Sequence, residues 1–372
     1  MSEDHLLPSN ATAFERALSL AIDVAPRVEL PIVEMRGLKL RQPPPSFLPY
    51  LLYEYGLGPI SRFFDDPREC IAEGIAWQRV RGTQDAITRA LGWLGYDGAH
   101  ENMPPRRRRW NLFMLEMDRL RDVEAPDLDD IAYLAQLSAA ERSRFWRGFR
   151  DYDIRPVDYG HFAWSGAIWS DYSGARIHSD SAKWSFGRTH ERDYAPTQAD
   201  LEALEVWLDE DSGGLSWGNF PWVSEGVTWN SAPFATRAQL MAAGVLAKAC
   251  WVRFRDADGA IIGHRRGRAF RSVIEDPHGV YGCGSLRYAP QGSSPILYVE
   301  ALTDFGDGFG STVASWSLLF APTIVAPAKP GILWADATQL SGGVEIMPTA
   351  TTIPFGRTVR ERLRAILRFQ TS

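Results

Sequence analysis

The residues best suited to chemistry gather in one stretch of the chain. His161, His178 and His190 stand among Asp171, Asp180, Glu191 and Asp193, a mixture of imidazole and carboxylate that suits divalent metals. Their spacing places no two ligands on one helix face, and the segment has no helical periodicity, so ordinary hydrogen-bonded or solvated histidines are expected and no metal. Asp304-Phe305-Gly306-Asp307-Gly308 resembles a calcium-type acidic loop, but it lacks the oxygen-ligand count and terminal Glu of such a loop and reads as a turn. Tryptophans beside Asp and Glu are also what glycosidases use. That chemistry needs two carboxyl groups roughly 5 to 9.5 Å apart, a distance that spacing along a chain does not supply. A phosphate loop and G-x-G-x-x-G are both missing, which removes the commonest local signatures of nucleotide chemistry. The expectation is a protein that is not an enzyme, with no catalytic residues and no cofactor.

Charge and composition point the same way. The 372 residues carry a net charge of −6, with 45% hydrophobic and 23% charged residues, ordinary for a folded soluble protein. An acidic total argues against nucleic-acid binding. Arg106 to Arg109 is the one strong basic run, placed after Pro104-Pro105 as a solvated loop or a docking point for an acidic surface. The unit Arg79-Val80-Arg81-Gly82-Thr83 joins two helices like a helix-turn-helix, yet the second helix has no basic cluster, so simple helix packing is the reading. Cys70, Cys250 and Cys283 are far apart with no C-x-x-C pair, which fits a reducing cytoplasm. No stretch approaches the ~20 apolar residues of a membrane span, and the opening residues do not form a signal peptide. Fourteen tryptophans favour cores and protein interfaces.

The elements that would position these groups fall into three regions. Thr12-Ala13-Phe14-Glu15 is a capping box, and Phe14, Ala17, Leu18, Ala21 and Ile22 follow on one helical face, with Pro26 and Pro31 expected to close the helix. Ser46 is expected to cap a second helix carrying Leu48, Leu51, Leu52 and Tyr55 before Gly56. Asp66-Pro67-Arg68-Glu69 starts a third helix, and Thr83 a fourth that ends at Gly95. Four short helices with narrow apolar faces must bury them against each other or against partner chains. Trp110 to Met117 reads as a buried strand, residues 122 to 130 are acidic, and Ser138-Ala139-Ala140-Glu141 reads as a capping box opening a short helix. Trp164-Ser165-Gly166, Trp169-Ser170-Asp171 and Trp184-Ser185-Phe186-Gly187 mark a Trp/Ser/Gly-rich middle, interrupted by a helix over 197–208. Asp258-Gly259 signals a hairpin, further β-type runs lie at 269–274, 295–302, 314–320 and 331–335, and Val359 to Phe369 reads as a basic amphipathic helix. The expected class is α+β: a helical domain over 1–121, a Trp/Ser/Gly-rich middle region over 122–235, and a β-rich domain with a C-terminal helix over 236–372.

Three of these segments resemble the phage tail protein I family. Leu6-Leu7-Pro8-Ser9-Asn10-Ala11-Thr12, followed by Glu15-Arg16-Ala17-Leu18, is similar to the family's opening signature. Phe47-Leu48-Pro49-Tyr50-Leu51 is similar to its L-L-P-W-L-A segment. Arg79 to Thr83, with Ala86-Ile87 and Leu91 through Leu94-Gly95, is similar to its H-R-x-K-G-T element and the short helix behind it. Order and spacing agree over roughly residues 6 to 96. The chain departs from the family at Gly37 to Pro45, where an aspartate and proline run is replaced, and at Gly56-Leu57-Gly58, where a tryptophan-aspartate element is missing. Trp169 to Gly174 and Lys183 to Arg188 are similar to segments of longer prophage members. The resemblance implies a structural baseplate wedge subunit of a contractile tail, assembled in the host cytoplasm and located in the virion's baseplate. Its implied partners are other baseplate wedge proteins, in a heterotrimer with two copies of a neighbouring wedge protein, and the tail fibre or fibre adaptor; neither membrane nor nucleic acid is expected. The interaction residues it implies are Leu6, Leu7, Pro8, Asn10, Thr12, Glu15, Arg16, Leu48, Pro49, Arg79, Gly82, Thr83 and Gly95. The alternative is a receptor- or glycan-binding tail module that faces the host with its Trp-rich and β-rich parts.

Overall fold

The computed structural model describes residues 7–38, 43–103, 110–157, 167–168, 171–208, 233–325 and 331–370. Helices dominate the first part: α1 Ala13–Ala21, α2 Ala25–Leu38, α3 Leu48–Glu54, α4 Pro67–Val80 and α5 Gln84–Gly92, with 3-10 turns at Pro45–Phe47 and Gly58–Phe63. Strands then take over, interrupted by α6 Asp127–Ser138, α7 Gln198–Ala203 and α8 Pro233–Leu246. They are β1 Gly98–Asn102, β2 Leu112–Met117, β3 Arg144–Arg150, β4 Arg155–Pro156, β5 Ala167–Ile168, β6 Ala175–Arg176 and β7 Lys183–Tyr194. After α8 come β8 Cys250–Arg255, β9 Ile261–Arg266, β10 Ala269–Glu275, β11 Tyr281–Cys283, β12 Leu286–Pro290 and β13 Ile296–Leu302. The last group is β14 Thr312–Phe320, β15 Thr323–Ile324, β16 Trp334–Asp336, β17 Leu340–Ser341, β18 Val344–Pro354 and β19 Val359–Arg368. The class is α+β, with helices first and strands after them.

Two compact units divide the chain. One comprises residues 1–95 with a short return at 137–141; the other comprises 96–136 and 142–372. In the first unit, α3, α4 and α5 bury Leu48, Leu51, Leu57, Ile60, Cys70, Trp77, Ile87, Ala90 and Leu91. Their starts follow the local chemistry that the sequence spells out. Asp66 accepts from the N–H of Arg68 ahead of Pro67, and Thr83 accepts from the N–H of Ala86, each satisfying a donor that the first turn leaves open. Gly82, at φ +89, makes the turn between α4 and α5 and donates its N–H to the Ser138 carbonyl at 2.9 Å.

In the second unit a large mixed sheet runs β1-β2-β3-β7-β19-β13-β10-β12-β11 among the described residues, with β6 also on β7. Its centre is parallel, β2 with β3, β3 with β7 and β7 with β19, and its flanks are antiparallel. An antiparallel sheet, β16-β9-β8-β14-β18, supplies the other layer. Leu297, Val299, Ala301, Leu363, Ala365 and Leu367 from the first sheet share one core with Cys250, Val252, Phe254, Trp316, Leu318 and Phe320 from the second. Every one of these runs alternates with period two, as a half-buried strand requires. Leu201 and Leu204, with Met241 and Val245 of α8, close the same core.

Three expectations are corrected. Val359 to Arg368 is a strand, not a helix: Val359, Glu361, Leu363, Ala365 and Leu367 alternate with Arg360, Arg362, Arg364 and Arg368, and pairing with β7 and β13 on either side favours period two. Ser138 does not open a helix but closes α6, because its hydroxyl accepts from the Trp77 indole at 2.9 Å and the chain then turns into β3. Pro26 and Pro31 lie within α2 instead of ending α1; proline fits a first turn without loss, and Pro31 removes one backbone bond. The hairpin at Asp258-Gly259 is present, with Gly259 at φ +80 between β8 and β9.

Candidate functional site: an unpartnered apolar surface on the first two helices

The family-like residues at the start of the chain build a well-capped helix. Thr12 and Glu15 form the full capping box: the Glu15 N–H donates to the Thr12 hydroxyl, and the Glu15 carboxylate accepts from the Thr12 N–H at 2.7 Å. That N–H and the Thr12 hydroxyl, which donates to the same carboxylate at 2.8 Å, hold the Glu15 carboxyl below its usual range. Arg16 reaches back to the Ser9 carbonyl at 2.9 Å, and the Ala11 N–H donates to the Pro8 carbonyl, so the Pro8–Arg16 stretch is tied to itself. Pro8 and Asn10 are exposed; Leu6 lies outside the described residues.

The helix so capped buries nothing. Phe14 is 74% exposed, and Leu18, Leu20, Ile22 and Val24 are exposed with it. α2 repeats the pattern, with Val28, Leu30, Ile32, Val33 and Met35 all exposed. On a 3.6-residue helix Val28, Ile32 and Met35 fall on one side, and Leu30 and Val33 on the opposite side. A helix that is apolar on both sides is one that is covered on both sides. Fully covering a side chain of this size stabilises by roughly 1.5–3 kcal/mol, so ten exposed ones in one short stretch leave a large apolar surface uncovered.

The remaining family-like residues are distributed differently. Leu48 is buried in the α3–α5 core, whereas Pro49 occupies the first turn of α3 and Tyr50 and Tyr53 of the same helix point outward. Arg79 is exposed near the end of α4. Arg81 donates to the Leu137 carbonyl at 3.0 Å and lies over the Trp77 ring, a structural use of that cation. Gly82 and Thr83 form the turn and cap described above, and Gly95, at φ +71, ends the turn behind α5. The structure therefore separates Leu48, Gly82, Thr83 and Gly95, which shape the α3–α5 core, from the Leu7–Arg16 stretch, which presents α1.

The other candidate groups are accounted for individually. His190 bonds the Glu361 carboxylate at 2.9 Å, and His178 is exposed near Asp129. His161, Arg106 to Arg109, Trp164 to Gly166, and Trp169 with Ser170 lie outside the described residues. Among the described residues no group of three His, Cys, Asp or Glu side chains is placed to hold a metal, and no helix is long and apolar enough to cross a membrane. In the Asp304–Gly308 turn, Asp307 accepts from Arg265 at 2.8 Å and from the Asp304 N–H, so guanidinium and backbone fill the loop. α2 is the element that sequence reasoning missed, since its prolines read as stops. The signal for it was the apolar spacing of Val28, Ile32 and Met35 continuing through Pro31.

Residues 7–142 match the family model described as Phage tail protein (Tail_P2_I). That stretch, little more than a third of the chain, carries α1–α2 and the α3–α5 core and is similar to a phage tail protein; residues 143–372 lie beyond the match. No curated protein matches the chain.

Proposed function

We propose that this protein is a structural wedge subunit of the baseplate of a contractile tail. It assembles with two copies of a neighbouring wedge protein into a heterotrimer, and its later residues help attach the tail fibre or a fibre adaptor. The observation that carries this reading is α2, with Val28, Ile32 and Met35 exposed on one side and Leu30 and Val33 on the other. One partner helix covers one side of a helix, so two opposed apolar sides call for two partner segments. The α3–α5 core supports the reading from the opposite direction: it is closed and leaves α1 and α2 free to dock.

Co-expression with the adjacent wedge gene, followed by purification and native mass spectrometry, tests it. The expected product holds one copy of this chain with two of the partner. Hydrogen exchange of residues 13–38 should slow strongly in that complex compared with the free chain. Failure to form a stable complex, or equal protection of 13–38 in both samples, overturns the proposal.

A further inference from the structure

One side of β19 carries arginine at alternate positions: Arg360, Arg362, Arg364 and, past Ile366, Arg368. Along a strand such residues line one face about 6.6 Å apart. Three of the four are neutralised within the molecule. Arg360 donates to Asp304 at 2.6 Å. Arg364 donates to Glu191 at 3.1 Å and Glu300 at 3.2 Å. Arg368 donates to Asp193 at 2.8 Å and Glu275 at 2.6 Å.

Arg362 breaks the series. Its register partner on β7 is Thr189 and on β13 is Leu302, so neither neighbouring strand offers a carboxylate at that rung. Its guanidinium lies over the Tyr152 ring, 3.7 Å from the centroid, and its Nε is buried without an acceptor. Among the described residues no hydrogen bond or ion pair reaches that guanidinium. Glu300 acts on it through space, but its carboxylate is already engaged by Arg364 and by the Tyr298 hydroxyl. Burial pulls the Arg362 cation below its ordinary range. Two nitrogens of Arg360, Nε and Nη1, are also buried without acceptors, so the same end of the row is short of anionic oxygen twice over.

We propose that Arg362 anchors a docking subsite for an acidic side chain, Asp or Glu, presented by a neighbouring polypeptide, which completes the ladder in trans. A protein carboxylate fits better than an acidic sugar for two reasons. Each filled rung takes an Asp or Glu side chain reaching across from an adjacent strand or loop. Among the described residues the Tyr152 ring at this site offers a sugar no stacking face, since the Arg362 guanidinium covers it and the Tyr152 hydroxyl is committed to the Arg360 carbonyl at 2.6 Å. The subsite is built only from residues of the second compact unit, so it stands or falls independently of the surface on α1 and α2.

The test uses the full chain, a fluorescent hexaglutamate peptide and, separately, an oligogalacturonate, all at one ionic strength. Hexaglutamate is expected to bind the unaltered chain, with affinity reduced about tenfold or more in Arg362→Met through loss of a charge-assisted bond. Thr189→Glu fills the rung in cis, so it should raise the melting temperature of the free chain while abolishing hexaglutamate binding. That second readout separates loss of the subsite from loss of fold. No binding by the unaltered chain, binding by either variant equal to that of the unaltered chain, an unchanged or lower melting temperature in Thr189→Glu, or preference for the oligogalacturonate each overturns the proposal.

Discussion

Trp184 lies against the backbone of Gly148, its register partner on the adjacent parallel strand. A Cβ at position 148 would sit 2.6 Å from Cε3 of the indole, well inside van der Waals contact. The same ring stacks on Phe186 and meets Phe145 edge-on. A tryptophan from the motif Lys183 to Arg188 is therefore a core residue that requires glycine opposite it. Gly148→Ala is expected to destabilise the second unit by about 1–3 kcal/mol through overpacking, read as a lower urea midpoint at unchanged slope. An unchanged midpoint would show that the strands separate without cost.

The opposed sides of α2 make separable predictions for assembly. Val28→Glu and Leu30→Glu each place a charge on a different exposed side, so each should leave the free chain within about 0.5 kcal/mol of its original stability. Each should nonetheless cut recovery of the wedge complex in co-purification. If only one of the two does so, a single partner segment covers α2.

Gly82→Ala probes the turn between α4 and α5. Alanine at φ +89 is strained in the left-handed region, at a cost of about 1–2 kcal/mol. The first unit should melt earlier by that margin, with residues 84–92 losing exchange protection. Full stability in this variant would mean that the turn relaxes to another conformation.

Acid should weaken the five-stranded sheet in two stages. Burial, with Arg253 beside it, lowers the fully buried His264 to about 4. An unfolded histidine titrates near ~6.5, so the folded chain binds fewer protons below that value and stability falls between pH ~6.5 and ~4. Burial opposes the charge of Glu345, but hydrogen bonds from Arg255, Ser317 and Arg253 outweigh it and hold that carboxyl at about 2. Its contribution is complete above ~4.3, the unfolded value, and is lost as pH falls toward 2. Unfolding in urea at a series of pH values should show both slopes; His264→Gln should flatten the upper one and Glu345→Gln the lower. Unaltered profiles in both variants would reject the assignment.

Leu363 tests the strand that the sequence disguised. It is 1% exposed in the shared core, so Leu363→Ala is expected to cost about 2–5 kcal/mol. Amides of 359–368 should be among the slowest to exchange, since β19 is paired on both edges. A loss under about 1 kcal/mol would place this side chain outside the core.

The sequence by itself determined whatever rests on a few consecutive residues. The capping box at Thr12 and Glu15, the cap at Asp66, the turn glycines at 82 and 259 and the one-sided apolar face of α1 are all local, because a cap or turn is satisfied within four residues. The class, helices before strands, follows from the same local patterns. Only tertiary structure decided that β19 is a strand, since its alternating arginines and aliphatics acquire a period only when β7 and β13 pair with them. It also decided that Ser138 belongs to Trp77, and that three of four arginines on β19 meet carboxylates while Arg362 does not. Each of these depends on residues tens to hundreds of positions apart, and one chain read in order holds no record of which distant groups share a register.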